Sequence, residues 1–148
     1  MSKIKILWAD DEIDHLKSHI FFLEEKGYEI TTVTNGLDAT EKVRKHHYDL
    51  VFLDENMPGI SGLEALKIIK ELQGNLPVVM ITKSEEDHIM EDAIGSKIAD
   101  YLIKPVNPRQ ILSTIIKLTE GKRLETESVT QRYQQDFRNI GMAFMDYL

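Results

Sequence analysis

The sequence predicts an α/β fold: a doubly wound, five-stranded parallel sheet, followed by an additional C-terminal amphipathic helix. Three observations predict it. Short apolar runs alternate five times with stretches whose apolar residues recur at helical spacing. The 148 residues suffice for one ordinary domain with a buried core. Strands separated each time by a helix pair in parallel, with helices on both faces and right-handed crossovers.

The elements follow in order. Residues 4–9 form an apolar run that ends at Asp10-Asp11, as a buried strand would. Residues 12–26 carry Ile13, Leu16, Ile20 and Leu23 at helical spacing, and Gly27 stops that helix. The β-branched residues 28–33 predict a second strand. After the Asn35-Gly36 turn, residues 37–46 predict a helix. The third strand, 49–53, is apolar and leads into Asp54. Pro58-Gly59 marks a loop, and residues 63–72 predict a helix with Leu63, Leu66, Ile68 and Ile69 on a broad apolar face. The fourth strand, 77–81, ends at Thr82. Ser84 is placed to cap the next helix, whose first turn carries Glu85, Glu86 and Asp87. The last strand, 99–103, ends at Lys104-Pro105. Asn107 caps a final helix with Pro108 in its first turn and Ile111, Ile115 and Leu118 on its apolar side.

Composition narrows the function classes. A hydrophobic fraction of 42% and a charged fraction of 29% are those of a globular domain with a core. Apolar runs such as Val78-Val79-Met80-Ile81 are too short to cross a bilayer, so no membrane is expected. Met1-Ser2-Lys3-Ile4 does not open a signal peptide. The chain has no cysteine, which excludes disulfides, thiolate metal sites and cysteine nucleophiles. A cytoplasmic location is the default expectation. The net charge of −7 argues against broad contact with nucleic acid, and points to carboxylates offset by a cation.

In such a sheet, ligands bind beyond the carboxyl ends of the strands, where strand order reverses. Those ends carry Asp10, Asp11, Asn35, Asp54, Thr82 and Lys104. Neighbouring strands lie about 5 Å apart, so such groups can converge on one site. Carboxylates sharing a site repel one another, and a hard cation with oxygen ligands resolves the conflict. Mg²⁺ fits best, since it takes oxygen ligands at about 2.1 Å and keeps a place for a phosphate oxygen. A carboxylate can itself accept a phosphoryl group, a reaction that needs positioning and charge stabilisation above all. Lys104 and Thr82 supply the ammonium and hydroxyl to hold phosphoryl oxygens. Asp54 alone reads equally as a solvated loop carboxylate. The company of Asp10, Asp11, Thr82 and Lys104 turns the balance toward a site.

Asp10-Asp11-Glu12, Leu53-Asp54-Glu55-Asn56-Met57-Pro58-Gly59, Ile81-Thr82 and Asp100-Tyr101-Leu102-Ile103-Lys104-Pro105 together resemble the receiver domain of bacterial two-component response regulators, which has a flavodoxin-like, CheY-like fold. The resemblance covers about residues 3–120 in the family's motif order. It implies that Asp54 is phosphorylated, and that Asp10 and Asp11 bind Mg²⁺ directly or through water, with Asp54 and the backbone carbonyl of Asn56 as further ligands. It implies that Thr82 and Lys104 each bond a phosphoryl oxygen, that Tyr101 turns inward as the switch partner of Thr82, and that Lys104-Pro105 is a cis peptide. It implies a sensor histidine kinase or phosphotransfer protein as phosphodonor, and a signalling domain rather than an enzyme. Trp8, Lys83 and Lys97-Ile98 depart from the usual pattern, which places the family there with smaller residues. Residues 6–14 are further similar to the start of PorX-type regulators of Bacteroidetes, in which a receiver precedes a helical segment and a phosphatase-like effector and regulates type IX secretion.

The remaining features have plainer readings. Glu12 either joins the metal ligands or serves as a first-turn helix residue. Tyr101 is equally expected as a half-buried strand tyrosine. The five histidines read as solvated helix residues, and Met142 and Met145 as apolar packing. Domain organisation is expected to be a receiver over 1–120 and a helical extension over 121–148, leading toward an effector domain this chain does not carry. In that extension Val129, Tyr133, Phe137, Ile140, Phe144 and Tyr147 form a seam near 3.5 residues per repeat, an apolar stripe suited to packing or homodimer formation. Two competing functions stay open. One is a Mg²⁺-dependent phosphohydrolase of haloacid-dehalogenase type, although such enzymes space their two first-strand aspartates two residues apart, whereas Asp10 and Asp11 are adjacent. The other is a pseudo-receiver that only docks partners.

Overall fold

The computed structural model describes residues 3–83 and 87–120, with side chains described except at 87–90. β1 is Lys5–Ala9, β2 Glu29–Val33, β3 Leu50–Asp54, β4 Val78–Thr82 and β5 Asp100–Ile103. Between them lie α1 (Lys17–Glu25), α2 (Gly36–Lys45), α3 (Gly62–Leu72) and α4 (Asp87–Gly95), and residues 108–120 are helical, here α5. All strand pairs are parallel, in the order β2-β1-β3-β4-β5. The predicted doubly wound sheet is the observed one. Among the described residues no helix is long and apolar enough to cross a membrane.

Two apolar layers sandwich the sheet because alternate strand residues face opposite ways. Leu7, Val51, Leu53 and Met80 pack on one side with Val43 of α2, Leu66 and Ile69 of α3 and Ala93 of α4. Ile6, Trp8, Phe52, Val79 and Ile81 pack on the other with Leu23 of α1 and Ile111 and Ile115 of α5. Trp8 and Phe52 meet at 5.1 Å between ring centroids. β1, β3 and β4 are buried on both faces, which is why they read as unbroken apolar runs.

The helix boundaries follow from side-chain caps. The Asn35 side chain accepts from Asp38 N–H at 2.8 Å, and Lys42, Arg44 and Lys45 favour the other end of α2 through the helix dipole. Ser61 and Glu64 form a reciprocal capping box at α3. Asn107 Oδ1 accepts from Gln110 N–H at 2.8 Å, the predicted cap of α5.

Some local details differ from the sequence reading. The first helical stretch is not continuous: Ile13–Leu16 is a 3₁₀ turn before α1 begins. Asp10 Oδ1 accepts Glu12 N–H at 2.8 Å, and neither Glu12 nor Leu16 offers a side-chain cap, so the first turn is drawn toward the acidic loop. Asp54 and Thr82 are the last residues of their strands rather than the first after them. Lys97 adopts φ 66°, the left-handed conformation that closes α4, with Ile98 N–H donating back to Ala93 at 3.2 Å. That conformation favours glycine, which explains why a lysine there departs from the family pattern. Lys104-Pro105 is cis, as the resemblance implies. The proposed Ser84 cap with Glu85 and Glu86, and the helical seam over 121–148, lie outside the described residues.

Candidate functional site

The chain passes from β1 to β2 on one side and reaches β3 on the other, so the reversal of strand order falls between β1 and β3. Ala9 pairs with Leu53 in register, which sets Asp10 beside Asp54 at the carboxyl edge. Ligand atoms of Asp10, Asp11 and Asp54 all lie within 4.8 Å of one another. Asp10 and Asp54 are buried, at 1% and 3% exposure, while Asp11 faces solvent. Lys104 reaches in from the end of β5. Its Nζ lies 3.1 Å from Asp10 Oδ2 and 3.3 Å from Asp54 Oδ2. Thr82, also buried, ends the intervening strand β4, and its carbonyl accepts Lys104 N–H at 2.8 Å. Asp11, Asp54, Asn56, Thr82 and Lys104 share one cleft of about 380 Å³.

The electrostatics follow from this crowding. Burial, then the Asp10 charge, raises the Asp54 pKa above its ordinary value; Lys104 and the Asn56 N–H at 3.3 Å pull the other way. Burial alone would lower the Lys104 pKa, but hydrogen bonds and attraction to Asp10 and Asp54 hold it above its ordinary value. Three carboxylates face one ammonium, so when all are ionised two negative charges remain. A divalent cation with oxygen ligands fits that balance, and the donor set is all oxygen, as Mg²⁺ requires.

The loop after β3 is held by groups the motif reading passed over. Glu55 Oε2 accepts Leu63 N–H at 2.8 Å, and its carbonyl accepts Gly62 N–H at 2.9 Å. Burial, offset by that Leu63 bond, raises the Glu55 pKa. A side chain at Gly62 would meet the carbonyl oxygen of Asp54 and, at 2.7 Å, Cα of Glu55. The loop thus folds hard against the backbone of Asp54. The Ser61-Gly62-Leu63-Glu64 spacing was the sequence signal for this anchor.

The six residues Asp10, Asp11, Asp54, Asn56, Thr82 and Lys104 therefore do gather at one edge. Tyr101 stands on β5, half-buried against the layer that holds Val78, Met80 and Ala93. Glu12 sits at the rim, with its carboxylate 3.0 Å from His15 Nδ1 and 3.9 Å from Lys83 Nζ. The histidines are not uniformly solvated. His19 Nε2 lies 2.7 Å from the Val106 carbonyl, and its Nδ1 is buried. His19 is half-buried because α1 turns it toward the β5–α5 loop, which helical spacing alone could not show.

A parallel five-stranded sheet with this acidic edge defines a receiver-type signalling domain. Residues 6–116 match the response regulator receiver domain family, and the chain belongs to that family, as a signalling domain of two-component systems. It is similar to transcriptional regulatory protein ZraR of Klebsiella oxytoca, 33% identical over 139 residues covering 94% of this chain and 31% of that protein. It is also similar to a CpxR homologue of Haemophilus influenzae, 36% identical over 142 residues covering 95% of this chain and 61% of that one. The chain thus spans about a third to three-fifths of the length of these relatives. Among solved structures, a CheY-like receiver from Methanospirillum hungatei superposes with a TM-score of 0.77 at 28% identity, covering 82% of this chain and 98% of that one. A two-component response regulator from Clostridium difficile gives 0.75 at 31% identity, covering 80% and 97%. Receiver domains generally bind Mg²⁺ at an acidic pocket and interact with histidine kinases or phosphotransfer proteins, consistent with the Asp10–Asp11–Asp54 cluster.

Proposed function

We propose that Asp54 is the phosphoacceptor of this receiver and that its occupancy switches the domain between two signalling states. The observation that carries this is the convergence of Asp10, Asp11, Asp54 and Lys104, with Lys104 Nζ within 3.3 Å of both buried acids. A carboxylate oxygen of Asp54 attacks the phosphorus of a phosphohistidine on a partner kinase or phosphotransfer protein. The P–N bond breaks, an O–P bond forms, and the imidazole leaves with the electron pair. Asp10, Asp11, Asp54 and the carbonyl of Asn56 would hold Mg²⁺, which when bound neutralises charge developing on the phosphoryl oxygens. Lys104 stands ready to exchange its Asp54 contact for a phosphoryl oxygen. Thr82, at the end of the neighbouring strand, offers a hydroxyl to another.

Displacement of Thr82 toward the phosphoryl group is the first step of the switch, and inward rotation of the half-buried Tyr101 the second. Their combined effect alters the face formed by α4, β5 and α5, and with it the region over 121–148 as a route to an effector or to a second copy. Only contacts that differ between the two states can shift the equilibrium. In this proposal the domain works as a cytoplasmic switch whose only chemistry is its own phosphorylation and dephosphorylation. The similarity of residues 6–14 to PorX-type regulators supports a narrower version, in which the output is control of type IX secretion.

Intact mass after treatment with acetyl phosphate tests the acceptor. One phosphoryl group should appear in the presence of Mg²⁺, and none on Asp54→Asn. Equal labelling of that variant would remove Asp54 from the role. Sustained turnover of a small phosphomonoester would favour the phosphohydrolase instead. Failure of Asp11→Asn to change Mg²⁺ binding would favour the docking-only pseudo-receiver.

A further inference from the structure

Lys104 is followed by Pro105, which has no N–H to donate, so the loop between β5 and α5 is held by other groups. At one end the Lys104 N–H is bound to the Thr82 carbonyl, and at the other the Asn107 cap opens α5. Between them the Val106 side chain is buried in the layer that holds Trp8, Phe52, Ile81 and Ile111. Apolar packing has no direction, so it sets how deep Val106 sits and not where its carbonyl points. That direction is set from α1, where His19 Nε2 lies 2.7 Å from the Val106 carbonyl oxygen across 87 residues of sequence. The carbonyl can only accept, so Nε2 carries the proton and donates. Nδ1 of the same ring is buried and has no partner among the described residues. An edge contact with the fully buried Trp8, 6.5 Å between ring centroids, also fixes the imidazole.

We propose that His19 is a positioning residue for phosphoryl transfer, holding Lys104, through the Val106 carbonyl, where its ammonium spans Asp10 and Asp54. Pro105 locks one of the backbone dihedrals between Lys104 and Val106. A fixed Val106 carbonyl therefore restricts the backbone from which the Lys104 side chain extends. From there Nζ reaches to 3.1 Å from Asp10 Oδ2 and 3.3 Å from Asp54 Oδ2. Release of the loop would loosen both contacts. It would leave Asp10, Asp11 and Asp54 in place, because these are set by β1 and β3, whose pairing does not involve the loop. The loss then falls on the charge that develops as the phosphoryl group transfers, and not on metal binding. The proposal rests on the reading of Asp54 as phosphoacceptor.

Two variants of the full-length chain separate the donor from the ring. His19→Phe keeps an aromatic ring beside Trp8 and removes the donor, whereas His19→Gln gives up the ring and keeps an Nε2 donor. Labelling by acetyl phosphate with Mg²⁺ is followed by intact mass. His19→Phe should lower the saturating rate about tenfold, with the half-saturating acetyl phosphate concentration and the Mg²⁺ affinity within about twofold of wild type. His19→Gln should recover most of the rate. Lys104 is read without any phosphorylation: in protein carrying isotope-labelled lysine, its side-chain resonances should move in His19→Phe and return toward wild type in His19→Gln. If His19→Phe does not fold, His19→Met, flexible and without a donor, replaces it. An unchanged rate or an unmoved Lys104 resonance in His19→Phe, a His19→Gln as slow as His19→Phe, or a matching fall in Mg²⁺ affinity would overturn the positioning role. A wild type that takes no phosphoryl group, or takes it equally on Asp54→Asn, would instead remove the acceptor reading and, with it, the link from His19 to phosphoryl transfer.

Discussion

Asp54→Asn should make the protein more stable, and the gain should depend on pH. The magnitude follows from the local charges. The Asp10 and Asp54 oxygens lie within 4.8 Å, so their repulsion is about 3.5 kcal/mol or more at an effective dielectric constant near 20. Lys104 at 3.3 Å returns about 5 kcal/mol to Asp54 on the same scale. These two largely cancel once the exposed Asp11 adds its screened repulsion. What remains is the desolvation of a buried carboxylate, several kcal/mol before relaxation. Asparagine removes the charge, keeps the shape, and still accepts the Asn56 N–H. The expected gain is about 1–3 kcal/mol at neutral pH without Mg²⁺, or a rise in Tm of about 4–12 °C. The sign with pH is fixed by the raised Asp54 pKa. An acid whose pKa is higher in the folded state costs stability that develops as pH rises from the unfolded value of 3.8 through the folded one, and is full above it. The difference between variant and wild type should therefore be largest at neutral pH and fade toward 3.8. Thermal melts followed by circular dichroism, in chelator across that range, measure it. A variant less stable than wild type at neutral pH, or a difference independent of pH, would refute the account of a crowded acidic site.

Mg²⁺ should stabilise the wild type by about 2.7 kcal/mol at a hundredfold excess over its Kd, and Asp11→Asn should lose most of that shift while melting normally in chelator. Gly62→Ala should destabilise by about 3 kcal/mol or more, read from urea denaturation, because its Cβ meets the backbone of Asp54 and Glu55 rather than a side chain that can yield. Lys97→Gly should stabilise by about 0.5–1 kcal/mol, since Lys97 holds φ 66° at the end of α4; a lower denaturation midpoint would contradict this. Lys83→Ala should change stability by less than about 0.5 kcal/mol, because the side chain is 76% exposed and its 3.9 Å pair with Glu12 is weak. The same substitution removes a cation from the rim, so labelling by acetyl phosphate should slow about two- to fivefold at low salt, and a rate insensitive to salt and to the substitution would argue against steering by Lys83.

Local signals were enough to find the strands and most helix ends. β1, β3 and β4 are buried on both faces, and a strand buried on both faces can only be written as an apolar run. Asn107 caps its helix as the sequence predicts, whereas Asn35, read as part of a turn, and Ser61, which was not singled out, also prove to be caps. The common edge of the site residues was legible for a related reason: in a parallel sheet every strand ends at the same edge, so polar residues that close apolar runs arrive there together, while strand order decides which of them are neighbours. The break into a 3₁₀ turn at Ile13–Leu16 was not legible, because it follows from Asp10 accepting the Glu12 N–H and not from any propensity of those four residues.

Asp54, which the sequence alone leaves as one acid at the end of one strand, shows where the division falls. Chain order and residue type determined that an acid, a hydroxyl and an ammonium would arrive at one edge of a doubly wound sheet. Only the tertiary structure decided that Asp10 and Asp54 would both be buried within reach of Lys104, since β1 and β3 are separated by some forty residues of sequence and become neighbours only through the strand order β2-β1-β3-β4-β5. It likewise decided that His19 would meet the Val106 carbonyl at 2.7 Å, because α1 must pack across the sheet before a helix residue can reach the loop after β5. Periodicity records which face of an element is apolar; which elements meet, and therefore which polar atoms are left to find partners, is settled when the layers close.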